Sequence, residues 1–218
     1  MTARDSIISR IRAARAGAAA TADEERSAVR AYVASHPPGP RPRQDADAVA
    51  RFRDRAASLA STLDEVADLA GVPRAAAEYL RAQGLPCEAV IWPELASLDW
   101  SGAGLTVEAR PARGDDKVGI TGCFCAIAET GTLMTVSGAQ SPSAVSLLPE
   151  THIAVVVRGR IVGSMEDAWT LLRAERGEMP RAVHFISGPS RTADIEQTVT
   201  LGAHGPYRLH VILVAAAP

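Results

Sequence analysis

Two runs in the second half of the chain, HIAVVV from His152 to Val157 and RLHVILV from Arg208 to Val214, are apolar at almost every position. A strand with one wet face alternates apolar and polar side chains; a parallel strand covered on both faces does not. This missing alternation constrains the fold more than any other feature, because it demands a sheet with cover on both sides. The shorter runs VGIT (118–121), TLMTVS (132–137) and AVHFIS (182–187) also read as strands. Between HIAVVV and AVHFIS, the stretch from Ser164 to Glu175 sets Met165, Ala168, Trp169 and Leu172 at helical spacing. Ser164 is a good N-cap, and Glu166 and Asp167 fall in the first turn, where the helix dipole favours carboxylates. Strands alternating with helices predict an α/β fold with a mostly parallel sheet, in which AVHFIS would be a central strand.

The first hundred residues read mostly helical. Ile7, Ile8 and Ile11 share one helical face, and Asp23, Glu24 and Glu25 open a second short helix that ends by Ser35. HPPGPRPRQ, His36 to Gln44, is a linker, since its prolines lack N–H groups and favour extended backbone. The boundaries that follow are a helical extension with its linker over residues 1–44 and an α/β domain over 45–218. Beyond the linker, Val49, Phe52, Ala56, Leu59 and Leu63 recur at spacings of three and four, a helix with one buried stripe. Whether STLDEV continues it or forms a short strand, periodicity leaves open. Pro73 sits in the first turn of a further helix, Gly84 stops it, and CEAVIW (87–92) has the character of a buried strand.

Bulk properties exclude several classes. A net charge of −2 gives no electrostatic reason to expect nucleic acid or an anionic membrane surface as a partner. No run of about 18 apolar residues exists, so no membrane span is expected. Three cysteines, Cys87, Cys123 and Cys125, are an odd count without regular spacing, which argues against a disulfide framework and fits a reducing cytoplasm. They are too few for a four-cysteine cluster, and Cys123 and Cys125 read as small buried residues. No metal site is expected. Gly102 and Gly104 open a dinucleotide fingerprint, but Val107 stands where its third glycine is needed.

Two polar stretches interrupt the apolar pattern. In the first, Gly122 follows a strand, and Ala128-Glu129-Thr130-Gly131-Thr132 forms a turn before the next. Glu129 is the one carboxylate between apolar runs, a candidate base or nucleophile, and equally a residue that ties down a neighbouring loop. In the second, Gly188-Pro189-Ser190-Arg191-Thr192 follows AVHFIS, with Gly202, His204, Gly205 and Pro206 soon after. If a helix starts at Ser190 or Thr192, its free N–H groups and the Arg191 guanidinium favour an anion, a small carboxylate or phosphate. The plain alternative is a capped helix with a solvent-facing arginine; spacing leaves both open. In open α/β sheets such sites lie at the carboxyl ends of strands, so Glu129 is expected there, within reach of Ser190–Thr192 and His204. His152, His184 and His210 read as hydrogen-bonded core residues, and His36 as exposed.

Taken together, GCFCAIAETGTLM and ISGPSRTADIEQTVTLGAHGPYRLHVILV resemble the LUD-domain family of lactate-utilization proteins, and its short-subunit type in particular. The similarity covers roughly residues 45–218. It implies a Rossmann-like three-layer α/β/α fold similar to the NagB/RpiA/CoA-transferase group, behind an N-terminal helical extension. It also implies a place in the bacterial oxidation of L-lactate to pyruvate, beside partner subunits that carry the iron–sulfur clusters. This chain would then be a non-redox subunit without a cofactor of its own, binding a small anion or organising its partners. Two other readings remain: a stand-alone enzyme handling CoA esters or sugar phosphates with Glu129 as nucleophile or base, and a scaffold or regulatory protein.

Overall fold

The computed structural model describes residues 2–16, 22–37, 39–41, 47–192 and 200–216. The chain divides into two compact units, Met1–Arg43 and Gln44–Pro218. The first contains α1 (Ala3–Ala16) and α2 (Ala22–Ser35), each with acidic residues in its first turn. Ile7 and Ile11 are exposed on α1, as are Val29, Tyr32 and Val33 on α2.

The second unit runs α3 (Ala48–Ser58), β1 (Thr62–Val66), α4 (Val72–Ala82), β2 (Glu88–Ile91), β3 (Thr106–Ala109) and β4 (Val118–Thr121). It continues through β5 (Cys125–Ile127), β6 (Thr132–Val136), α5 (Ala144–Leu147), β7 (Thr151–Val157), β8 (Ile161–Val162), α6 (Met165–Glu175) and β9 (Val183–Ile186). The described chain closes with β10 (Arg191–Thr192), β11 (Thr200–Leu201) and β12 (Arg208–Val214). The helix boundaries have local causes. Asp47 caps α3 by accepting from Val49 and Ala50 N–H; Ser164 and Asp167 form a reciprocal capping box on α6; and Gly84, at φ +64°, follows α4.

Six strands form a wholly parallel sheet in the order β1-β12-β7-β4-β2-β3. One face packs against α4, where Val72, Ala76 and Leu80 meet Ile91, Ile120, Ile153 and Ile212. On the other, Phe52 and Ala56 of α3 meet Ala154, Val156, Val211 and Leu213. The central strands are thus covered on both sides, which is why HIAVVV and RLHVILV lack alternation.

The expected parallel sheet flanked by helices is present, with one addition. A second sheet, β8-β5-β6-β9, lies beside α3, burying Ala126 and Leu133 towards the large sheet. Cys125, Ile127, Met134 and Val136 face the opposite way, against Ala168 and Leu172 of α6. TLMTVS and AVHFIS belong here, paired antiparallel as β6 and β9. AVHFIS is therefore an edge strand rather than a central one. Because β5 and β6 are also buried on both faces, their apolar runs look like those of parallel strands.

Candidate functional site

The two polar motifs meet. The turn Ala128–Gly131 joins β5 to β6, and Ser187–Ser190 follows β9. Thr132 Oγ1 lies 2.7 Å from Ser187 Oγ and 2.7 Å from Thr130 Oγ1, a chain of three hydroxyls. Both turns press on α3. A Cβ on Gly131, at φ +66°, would stand 2.5 Å from the Ala56 backbone nitrogen. One on Gly188, at φ +76°, would stand 2.4 Å from the Leu59 carbonyl oxygen. Glycine is required at both, by conformation and by contact.

Ser190 organises the next loop. Its N–H donates to Pro206 O and its carbonyl accepts from Gly202 N–H, both at 2.9 Å. The His204 N–H donates to Ser190 Oγ at 3.4 Å. A Cβ on Gly205 would lie 3.3 Å from Ser190 Cβ, so that loop closes tightly over the serine. These three N–H groups are committed to the protein itself. Arg191 and Thr192 form a strand paired with Thr200 and Leu201, rather than a helix start; the helix expected after them falls on 193–199, outside the described residues. The Arg191 guanidinium donates to Leu59 O at 3.3 Å.

The cluster also sits at the opposite edge from the one expected. Pro206 lies two residues before β12, and Leu59 three before β1, so Ser190 and Arg191 lie at the amino ends of the parallel strands. Glu129 occupies the hairpin turn, held through its N–H to Gly163 O at 3.1 Å.

Gly122 is elsewhere, at the carboxyl end of β4. Beside it, β2 ends in Trp92 and a short turn carrying Glu94. A Cβ on Gly122 would lie 2.3 Å from Glu94 Oε1, so the carboxylate rests on the glycine. Around it a cavity of about 200 Å³ is walled by Trp92, Phe124 and Val136 and reached by Ser141, Arg160 and Arg176. Desolvation raises the proton affinity of Glu94, and the positive charge of Arg176 partly offsets this. Arg160 is committed: it donates to Phe124 O at 2.8 Å and to both oxygens of Glu175 at 2.5 and 2.9 Å. Arg176 and Glu94 make no ion pair or side-chain hydrogen bond among the described residues.

The position has a topological reason. From β2 the chain moves outward to β3; from β4 it moves the other way, to β7. The link after β2 packs Leu95 and Trp100 on the α4 face, while β5 and β6, after β4, pack on the α3 face. A crevice opens between the carboxyl ends of such diverging strands, the usual place for a ligand in an open α/β sheet. Sequence reading picked out Gly122 but missed Glu94 and Arg176. The signal was present for Glu94, a carboxylate directly after the strand CEAVIW. Arg176 had none, being an arginine at a helix end in an arginine-rich chain.

The thiols do not build a cluster site. Cys87 precedes β2 at the amino edge, whereas Cys123 and Cys125 follow β4 at the carboxyl edge. Burial pushes the Cys123 thiol far above its ordinary range and Cys125 up to about 11, so neither is a ready thiolate. Among the described residues no three His, Cys, Asp or Glu side chains are grouped to hold a metal ion. No described helix is long and apolar enough to cross a membrane.

A family model described as the LUD domain matches residues 94–214, more than half of the chain. Lactate utilization protein C of Bacillus subtilis is 35% identical over 133 residues, which cover 56% of this chain and 55% of that protein. An uncharacterized protein of Neisseria meningitidis is 38% identical over 96 residues, 44% of this chain and 41% of that one. The chain thus spans about half the length of the curated relatives it matches. Among solved structures, a DUF162 family protein from Deinococcus radiodurans is similar with a TM-score of 0.58 and 28% identity, over 80% of this chain and 100% of that one.

Proposed function

The chain belongs to the LUD-domain family, and from that membership we propose that it serves lactate utilization as a non-redox component of an L-lactate-oxidising system. The observation that carries this reading is the similarity to proteins named lactate utilization protein C, at 35% identity over 133 residues for one of them. The electrons leaving lactate would pass to iron–sulfur clusters held by partner subunits. In this chain the three thiols are divided between two edges of the sheet and do not fit such a cluster.

The contribution left for this subunit is to bind a small anion or to hold its partners together. The stand-alone reading with Glu129 as nucleophile draws no support from the surroundings of that residue: it sits in a hairpin turn beyond β5, and the cavity described above lies around Glu94.

The test is affinity purification of the full chain from its native cell during growth on L-lactate, followed by mass spectrometry. Co-purification of cysteine-rich iron–sulfur proteins, together with loss of growth on L-lactate when the gene is deleted, is the expected result. Unimpaired growth of the deletion strain on L-lactate would overturn the reading.

A further inference from the structure

The crevice between β2 and β4 combines features that a plain surface dent lacks. It lies at the topological switch point of the sheet. Glu94, which lines it, rests on Gly122, where any side chain would displace the carboxylate. Two charged groups of opposite sign, Glu94 and Arg176, reach it with no hydrogen-bonded or ion-paired partner among the described residues. The other pair, Arg160 and Glu175, is locked together and neutralised. Trp92 and Phe124 give apolar walls. A cavity of about 200 Å³ falls below the roughly 300–1,000 Å³ of pockets for drug-sized ligands, so the occupant has few heavy atoms.

We propose that this crevice binds a small 2-hydroxy- or 2-oxo-monocarboxylate, with Arg176 pairing its carboxylate and Glu94 hydrogen-bonding the oxygen on its second carbon. One free guanidinium matches one carboxylate, since its planar fork presents two parallel donors. The free Glu94 accepts a hydrogen bond from a hydroxyl when ionised and donates one to an oxo group when protonated. A second carboxylate on the ligand would face Glu94 and be repelled, which excludes dicarboxylates. A short alkyl group fits the aromatic wall. The crevice as a carboxylate site follows from the geometry; the choice of a hydroxy or oxo acid also rests on the lactate-utilization reading above.

The experiment is calorimetric titration of the full chain with L-lactate, pyruvate, propionate and malate, for the wild type and for Arg176→Ala, Glu94→Gln and Gly122→Ala. L-Lactate or pyruvate should bind saturably, and malate should not. Arg176→Ala should weaken that binding roughly tenfold or more, the usual scale for a charge-assisted pair. Glu94→Gln should weaken L-lactate several-fold while sparing propionate, and Gly122→Ala should reproduce this by expelling the carboxylate. Melting curves should be unchanged for the Arg176 and Glu94 variants, because neither side chain has a hydrogen bond or ion pair to lose among the described residues. Binding of none of the acids, or binding insensitive to Arg176→Ala, would overturn the proposal. Propionate bound as tightly as L-lactate, and lost with Arg176, would overturn the ligand class. Failure of the lactate-utilization reading is seen separately, as normal growth of the deletion strain on L-lactate.

Discussion

Thr132 and Ser187 share a hydroxyl–hydroxyl hydrogen bond of 2.7 Å across 55 residues of sequence. This contact joins the turn containing Glu129 to the loop that leads into Arg191, the two stretches whose polar character stands out in the sequence. Thr132 is almost fully buried, and its Oγ1 also meets Thr130. The polar residues at this junction therefore serve each other.

Thr132→Val keeps the shape and removes the hydroxyl. It should destabilise the α/β unit by about 1–2 kcal/mol, because two hydroxyls lose a partner in a partly buried place. For a domain of this size that is a drop in melting temperature of roughly 2–8 °C. Chemical denaturation checks it; an unchanged midpoint would show that Thr130 and Ser187 satisfy each other directly.

Two glycines should respond in opposite ways to the same substitution. Gly131→Ala places a methyl 2.5 Å from a backbone nitrogen of α3, in a conformation with φ +66°. Backbone cannot yield cheaply, so a loss of about 2 kcal/mol or more is expected. Gly122→Ala meets only the flexible end of Glu94, and should leave stability within about 0.5 kcal/mol. Parallel urea titrations of the two variants decide it; equal losses would mean that Glu94 is not free to swing away.

Much of the fold was legible for a simple reason. Burial on both faces erases alternation, and that erasure is visible in HIAVVV and RLHVILV. The same reading misled for AVHFIS, whose run is equally unbroken although it is a half-buried edge strand with Phe185 exposed; residue type reveals neither strand direction nor place in the sheet. At the site, Gly131 and Gly188 lie in the two polar stretches, and both closely approach helix α3 and the residue that caps it. The anion site expected at Ser190 to Thr192 rested on backbone N–H groups, which carry no sequence signature: those of Ser190 and His204 bond Pro206 O and Ser190 Oγ, and the expected helix falls on 193–199, outside the described residues. Glu94 and Arg176 approach one cavity from elements some eighty residues apart, a meeting that no local pattern encodes.

Acid should destabilise the protein before its carboxylates titrate. Burial pushes His152 down from 6.5 to about 3, and His210 down to about 4, the latter partly offset by Asp64 at 3.4 Å. The unfolded chain therefore binds more protons than the native one as pH falls from 6.5 towards 4, and stability is lost across that window. It is fully present above about pH 6.5. Each histidine contributes up to about 1.4 kcal/mol per pH unit there. Asp116, Glu150 and Glu175, held low by Arg110, Lys117 and Arg160, act in the same direction only at lower pH. Urea denaturation between about pH 7.5 and 5 measures the slope, and His152→Gln should roughly halve it. A flat profile would mean that both rings admit a proton without cost.

Arg191 and Arg176 offer the sharpest contrast between sequence and structure. Arg191 stands in the motif that suggests an anion site, yet its guanidinium points to Leu59 O at 3.3 Å and the N–H of the preceding Ser190 is already bonded to Pro206 O. Arg176 stands in no motif, yet reaches the cavity beside Glu94 without a partner among the described residues. Arg191→Ala should cost less than about 1 kcal/mol, since a single hydrogen bond at an exposed position is lost, and should leave carboxylate binding unchanged. Arg176→Ala should do the reverse, leaving the melting curve alone and weakening binding. Measuring both quantities on both variants separates an arginine that ties a loop to a helix end from one that meets a ligand. If Arg191→Ala is the variant that loses binding, the anion site belongs at the amino edge of the sheet after all.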